Sequence, residues 1–279
     1  METAFVKIRE SQKATWNKFS SGWEKWNDFT MDFLQPMGHS IIDFLELKQT
    51  DRVLDIATGT GEPGLSIALL VNKGQVIATD LSEDMLTIAA KTAKTRSITN
   101  FETRMADCCE LPFPDAHFDA VSCRMGFMFF PDMLMAAKEM FRVLKPGGVM
   151  ATSVWGGKDK NPWIDVMMTA LAKNIELPAP VPGAPGMFRC SKPGLMSSLF
   201  QEAGFKEIKE KEINGSVDFG SPERYWENMN EIGAQVVNAM AHADETTRHK
   251  IKADALAIFK ETAGQAKLNY NAVVYRGVK

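Results

Sequence analysis

The chain has 279 residues, 45% of them apolar and 24% charged, with a formal net charge of −3 and four cysteines. That balance describes a globular protein, and the lack of any Lys/Arg block excludes a basic nucleic-acid or anionic-membrane binder. Cys108, Cys109, Cys123 and Cys190 are too few and too irregularly spaced for a disulfide scaffold or a zinc site, so reduced thiols and no metal are expected.

The opening METAFVKIRESQK has no apolar signal core, and no apolar run approaches transmembrane length; a cytoplasmic protein without membrane insertion is expected. Trp16, Phe19, Trp23 and Trp26 recur at helical spacing and predict an amphipathic helix over 4–29, with Ser20-Ser21-Gly22 as a point of interruption. A second helix is expected over Ile41–Leu47. The period then changes. RVLDI, QVIATD, FETRMA, FDAVSC and GVMATSVW read as strands, and GLSIALLV, SEDMLTIAAKTA and DMLMAAKEMFRVL as helices between them. Such alternation predicts a parallel sheet covered by helices on both faces. Ser82 suits an N-cap followed by Glu83 and Asp84, and Pro146-Gly147-Gly148 stops the helix carrying Met133, Met140 and Leu144.

Beyond residue 155 the pattern loosens. A helix is expected near 162–176, an exposed loop over LPAPVPGAPG (177–186), a helix ending at Gly204 and a strand over Phe205–Ile213. Two further helices, Ser221–Ala241 and Asp244–Ala263, precede a closing strand, KLNYNAVVYR.

The stretch VLDIATGTGEPG carries two overlapping glycine patterns. Gly59, Gly61 and Gly64 spell the dinucleotide G-x-G-x-x-G, while Asp55, Gly59 and Gly61 fit the D-x-x-x-G-x-G loop that holds S-adenosylmethionine. Asp80 lies 21 positions after Gly59, where an acid binds an adenosine ribose in either case. A diphosphate needs free backbone N–H donors and no nearby anion. Pro63 removes a donor, and Asp55, expected to face the crevice from the strand tip, would repel a phosphate yet suit an ammonium and a sulfonium.

VLDIATGTG, VIATDLSEDML, ADCCELPFPDAHFDAV and FRVLKPGGVM follow in order over residues 50–155, and with them the chain resembles the class I S-adenosylmethionine-dependent methyltransferases. Within these it is similar to the ubiquinone/menaquinone-biosynthesis C-methyltransferase branch. The resemblance implies an α/β Rossmann-like methyltransferase fold with a mostly parallel seven-stranded sheet and helices on both faces. An N-terminal helical lid is expected over 1–48 and a methyltransferase domain over 49–279; in a departure from the family, whose last two strands form a hairpin, residues 214–266 intervene and are expected to build a helical cap. Asp55 and the Ala57–Gly61 backbone would surround the methionine moiety. Asp80 would take the ribose hydroxyls, with Leu81 against the adenine. Asp107 would accept from the adenine amino group, the Cys108 N–H would reach a ring nitrogen, and the Cys123–Arg124 backbone would close the pocket near the methyl group. Two further departures stand out: Ala57 replaces the usual glycine, and Asn17 of Trp16-Asn17 replaces the usual acid near the chain start.

Transfer of a methyl group from a sulfonium is an in-line displacement that needs alignment more than acid–base machinery. His39, in PMGHS ahead of the first strand, and Arg124, past the fourth, are the candidate catalytic residues, as base and as partner of an acidic or enolate oxygen. Arg124 equally suits an ion pair with a nearby carboxylate. His117 sits at the wrong end of the sheet, and His242 and His249 are expected to face solvent. The run RMGFMFFPDMLM, with Trp155, Phe188, Tyr225 and Trp226 as further walls, points to a small apolar or aromatic acceptor. Trp16, Trp23 and Trp26 serve either as walls or as packing anchors, and the paired thiols Cys108 and Cys109 admit trivalent arsenic as a rival acceptor. The expected function is methylation of a small molecule on carbon, oxygen or nitrogen. The alternatives are a nicotinamide-dependent oxidoreductase and a non-catalytic S-adenosylmethionine-binding protein.

Overall fold

The computed structural model describes residues 2–177, 183–241, 243–263 and 266–279. The apolar runs read as strands become the centre of the molecule. β1 (Arg52–Ile56), β2 (Gln75–Asp80), β3 (Phe101–Met105), β4 (Phe118–Arg124) and β5 (Leu144–Trp155) pair in parallel. β6 (Lys206–Asp218) and β7 (Lys267–Val278) complete a seven-stranded sheet in the order β3-β2-β1-β4-β5-β7-β6, with β7 antiparallel to both neighbours. Strand order reverses at β1, where the crossovers to β2 and β4 leave in opposite directions and open a crevice at the strand ends.

The crossover helices are short and set by local signals. α3 (Gly64–Leu70) follows the glycine loop; α4 (Glu83–Thr95) is capped by Ser82, whose Oγ accepts from Met85 N at 3.1 Å. α5 (Met133–Val143) is capped by Asp132, which accepts from Leu134 N and Met135 N. α6 (Pro162–Asn174) and α7 (Leu195–Ala203) follow β5, and α7 ends at Gly204 with φ +106°, the left-handed conformation that glycine adopts freely.

At the N-terminus two long helices replace the expected pattern. α1 (Glu2–Lys25) runs through Ser20-Ser21-Gly22 without a break, and Ser20 Oγ donates a hydrogen bond to Asn17 O within the helix. α2 (Asn27–Leu45) begins well before the expected Ile41 and contains Pro36. Its buried face, Thr30, Leu34, Met37, Ile41 and Leu45, keeps one continuous helical stripe that packs on β4, β5 and β7. Burial of that stripe outweighs the one hydrogen bond that proline removes.

The segment between β6 and β7 starts after Asp218, not at 214, because β6 keeps pairing with β7 to the Asp218–Lys267 register. It holds α8 (Pro222–Ile232), α9 (Ala234–Met240) and α10 (Glu245–Ala263). The single helix expected over Ser221–Ala241 is broken at Gly233, whose ψ of +82° leaves the helical region. α10 packs against α6 and α8, and α8 against α1. Of the loop expected over 177–186, residues 178–182 lie outside the described residues, as does His242; His249 is exposed. Among the described residues no helix is long and apolar enough to cross a membrane.

The α1–α8 contact depends on a missing side chain: a Cβ at Gly22 would land on the carbonyl of Glu231. Gly22→Ala is therefore expected to lower stability by about 1–3 kcal/mol through overpacking, read from the midpoint of urea unfolding. If α1 did not pack on α8 in solution, the same change would raise stability by about 0.5–1 kcal/mol through helix propensity.

Candidate active site

Register places the acid of the first strand. Asp55 is paired with Ser122 of β4, so both side chains emerge on one face, and Ser122 Oγ donates to Asp55 Oδ1 at 2.6 Å. Thr58 Oγ1 donates to Oδ2, also at 2.6 Å. The carboxylate is fully buried and lies against α3, where a Cβ on Gly64 would stand 2.7 Å from Oδ2. This corrects the expectation that Asp55 faces the crevice: it is a strut beneath the loop, and the third glycine of the pattern exists to make room for it. Burial pushes its pKa up to about 6, against the opposing pull of the two hydroxyls and of Arg124.

Above this strut the loop turns through Ala57 (φ +53°), Gly59 (φ +56°) and Gly61 (φ +113°). Ala57 thus takes a left-handed conformation that usually favours glycine. Asp80, at the tip of β2, accepts from Gly59 N at 3.0 Å and from Ser82 N at 2.9 Å, tying the loop to the next strand while its carboxylate borders the crevice.

The crevice is a cavity of about 220 Å³. Its first half is walled by Ala57, Thr58, Gly59, Asp80, Leu81 and Met85, with Ala106 and Cys108 at the far end. The rest of the lining is aromatic: Trp23 from α1, Phe33 from α2, Phe129, Trp155, Trp163 and Phe219, with Trp16 at the junction, where its neighbour Asn17 accepts from Ser82 Oγ. Phe33 stands at the centre of that part, with ring centroids 5.6 Å from Trp155, 5.4 Å from Trp163 and 5.1 Å from Tyr270. Met229, Ile232 and Val236 of the inserted helices close the top.

A latch joins the two covers. Glu231 of α8 accepts from Lys25 Nζ at 2.6 Å and from Trp26 Nε1 at 2.7 Å, and Arg224 lies over the rings of Trp26 and Phe29. Trp26 is therefore a packing anchor, while Trp16 and Trp23 are walls.

Of the expected site residues, Ala57, Gly59, Asp80, Leu81, Cys108 and Arg124 line this cavity. Gly61 does not; it packs against Leu65 and Ala89. Cys123 is fully buried under Gly126, and burial lifts its thiol to about 12. Asp107 is turned away: Oδ2 pairs with Arg9 of α1 at 3.1 Å and Oδ1 accepts from Cys109 N at 2.8 Å. His39 is exposed on α2, outside the cavity, so the expectation of a base there is corrected: the helical face that points inward carries Met37 and Ile41 instead. From the Met/Phe run, Met125, Phe129 and Phe130 reach the cavity, whereas Phe127 and Met128 are core. Trp155 is a wall; Phe188, Tyr225 and Trp226 are not, and Tyr225 instead donates from its hydroxyl to Trp163 O. His117 stacks near Phe113 at the opposite end of β4.

Arg124 sits where the loop, α2 and the cavity meet. Among the described residues its hydrogen bond runs only to Met31 Sδ, at 3.4 Å, with Glu62 and Asp55 acting on it from farther away. Burial brings its pKa down to about 10, so it remains a cation at neutral pH. The alternative of a direct ion pair is not what the geometry shows.

Sequence reasoning missed Glu62, and with it the clearest discriminator. Its Oε2 accepts from Ser66 N at 3.1 Å and its Oε1 pairs with Arg96, so a carboxylate already occupies the N-terminal end of α3. That is where a dinucleotide's diphosphate would sit. Glu62 also lines the cavity, and Pro63 offers no N–H. The G-x-G-x-x-G is therefore closed to a diphosphate, while the adjoining Asp80, Leu81 and Arg124 fit an uncharged-ribose nucleoside bearing an amino acid.

Asp107, Cys108 and Cys109 bring a carboxylate oxygen and two sulfurs within 4.8 Å of one another. Arg9 and the Cys109 N–H already engage the carboxylate, and burial holds the Cys108 thiol well above its ordinary range. The neighbouring Cys109 thiol is lowered by its hydrogen bond with Cys108, so the two sulfurs differ in proton affinity rather than forming a ready dithiolate.

Strand order, glycine loop and ribose acid together define a class I nucleoside-binding methyltransferase fold. Residues 53–148 match the methyltransferase domain family. The demethylmenaquinone methyltransferase of Staphylococcus carnosus is 31% identical over 193 residues, spanning 63% of this chain and 77% of that protein. The crystal structure of the YcgJ protein from Bacillus subtilis superposes with a TM-score of 0.60 at 18% identity, over 88% of this chain and 98% of that one. Haemonchus contortus phosphoethanolamine N-methyltransferase 2, solved with S-adenosyl-L-methionine, gives a TM-score of 0.53 at 18% identity, over 88% of this chain and 52% of that one. The chain belongs to the S-adenosylmethionine-dependent small-molecule methyltransferases.

The Asp55 strut predicts a pH signature. Its folded pKa of about 6 lies above the ordinary 3.8, so between these values the folded protein binds more protons than the unfolded chain. Stability contributed by the protonated form is lost as pH rises through 6. Relative to Asp55→Asn, the wild type is expected to lose about 2 kcal/mol between pH 4 and pH 7. Urea unfolding of both proteins across that range measures it; parallel curves would contradict the buried strut.

Proposed function

We propose that the chain transfers the methyl group of S-adenosylmethionine to a planar, largely apolar acceptor of quinol or phenol type, seated in the aromatic half of the cavity. The observation that carries this reading is one continuous cavity lining that runs from the glycine loop and Asp80 to the aromatic rings of Trp23, Phe33, Trp155 and Trp163. The demethylmenaquinone methyltransferase relative supports a quinol-like acceptor.

When bound, the sulfonium supplies the electrophilic methyl group. Asp80 holds the ribose hydroxyls, and Leu81, Met85 and Ala106 flank the adenine. Cys108 borders the ring through its backbone. Arg124 takes the methionine carboxylate, which replaces the weak Met31 contact with a charge-assisted bond. Ala57, Thr58 and Gly59 shape the floor under the methionine chain. The N-terminal helices act as a lid and α8–α10 as a cap, together excluding water. Alignment of this kind can supply ~7–11 kcal/mol of the barrier.

The titratable residues among the described cavity walls are Glu62, Asp80, Cys108 and Arg124, all on the nucleoside side or at its boundary. Among the described residues the aromatic half holds no base. The acceptor must therefore arrive already nucleophilic, as a phenolate or an electron-rich quinol, and the rate should follow its ionisation. Free cysteines at all four positions support a cytoplasmic location.

Screening quinols and phenols with radiolabelled S-adenosylmethionine tests the reading, and exclusive labelling of aliphatic amines would defeat it. Arg124→Met is expected to raise KM for S-adenosylmethionine about 10–100-fold with kcat changed far less. His39→Ala should leave both constants within about twofold, as expected for an exposed side chain off the site.

A further inference from the structure

The aromatic half of the cavity contains few polar atoms, and nearly all are already engaged. Trp16 Nε1 donates to Gln12 Oε1, Trp163 Nε1 to Asn161 Oδ1, and Thr30 Oγ1 to Trp26 O. Two buried donors there have no partner among the described residues. Asn228 is only 2% exposed and lines the cavity, yet its Nδ2 has no partner among the described residues. Trp23 Nε1, on the facing helix α1, is likewise buried and unpaired, and Trp23 also lines the cavity.

A buried amide donor left unpaired destabilises a fold, and proteins pair the great majority of them. Leucine in place of Asn228 would fill the same volume among Met229, Ile232 and Val236 without that cost. Two such donors at one cavity, contributed by the lid helix and by the cap helix, are accounted for by a ligand atom that accepts from them.

We propose that Asn228 and Trp23 form an oxygen-recognition subsite, which selects acceptors bearing a carbonyl, phenol or phenolate oxygen on an aromatic ring. The inference rests on the methyltransferase reading of the same cavity and narrows it. Two neutral donors favour an oxygen with partial negative charge and offer nothing to an ammonium group. The subsite also fixes the ring's orientation, because an oxygen held at the cap directs the remaining ring positions toward the nucleoside half. Both residues lie outside the 53–148 methyltransferase domain match, so the subsite belongs to this chain's own lid and cap.

Calorimetric titration of the full chain with 2-naphthol and with naphthalene tests the proposal, in the presence and absence of S-adenosylhomocysteine. The two probes share a ring system and differ by one hydroxyl, and partition into a purely apolar cavity would favour naphthalene. The expected result is about tenfold tighter binding of 2-naphthol by the wild type. Asn228→Leu should remove that preference while leaving naphthalene and S-adenosylhomocysteine affinities within about twofold. Trp23→Phe, which keeps an aromatic wall but loses the N–H, should weaken 2-naphthol alone. Equal affinity of the wild type for both probes, binding of neither, or an undiminished preference in both variants would overturn the subsite. Failure of S-adenosylhomocysteine to bind would instead strike the methyltransferase reading, with the naphthol preference of the unloaded protein still standing or falling by itself.

Discussion

Everything at the site is hung from a carboxylate that never reaches the ligand. Asp55 is held by Ser122 of the neighbouring strand and by Thr58 of the loop it supports, and it presses against the α-carbon of Gly64. Those three contacts join β1, β4, the glycine loop and the first turn of α3. The chain thereby keeps its two central strands in register at the point where their crossovers diverge. The cost is burial of an acid whose proton affinity rises to about 6. Two hydroxyl donors offset part of that cost, and the fixed loop above is what the remainder secures.

The ligand is selected a few residues further on. Glu62 fills the N-terminal end of α3 with its own carboxylate, and Asp80 binds the loop from the other side. An anionic diphosphate would meet the Glu62 carboxylate at that helix end and a proline without a donor, whereas Asp80 is compatible with either ligand. In the proposed reading a nucleoside carrying an amino acid would meet a ribose acceptor and, in Arg124, a cation with no carboxylate in direct contact among the described residues. Reading the sequence for charge led to the right ligand through the wrong residue. Strand position places Asp55 at the tip of β1, but the face on which its side chain emerges depends on the register with Ser122. That pairing spans 67 residues and leaves no local trace.

The same distinction separates what was legible from what was not. The first four parallel strands, the Ser82 cap and the stop at Gly204 follow from local periodicity and turn chemistry, and the structure has them where the pattern put them; β5 instead starts at Leu144 and runs through the Pro146-Gly147-Gly148 expected as a helix stop. The early start of α2 was hidden by Pro36, a residue that ordinarily argues against helix and is tolerated here because a continuous apolar stripe packs beneath it. The break at Gly233 was hidden by helix-forming neighbours on both sides. His39 looked functional because a histidine ahead of the first strand is near the crevice in sequence, yet helical phase turns it to solvent. Phase and register are relations between distant segments, and single-sequence patterns carry them weakly.

The two halves of the cavity also differ in how they are built. The nucleoside half comes from strand tips and one loop, held by hydrogen bonds between backbone and carboxylates. The acceptor half comes from α1, α2, the inserted helices and the end of β5, held by aromatic packing and by the Glu231 latch. The latch itself is partly exposed and contributes little energy, so its effect is to set the angle between lid and cap rather than to clamp them. This suits a displacement that needs no base. In the proposed reading the sheet-based half would present the electrophile at a fixed place, and the helical half would surround an apolar ring and exclude water around it. Alignment and dryness are the two things such a reaction asks of a protein, and here each is supplied by a different layer of the chain.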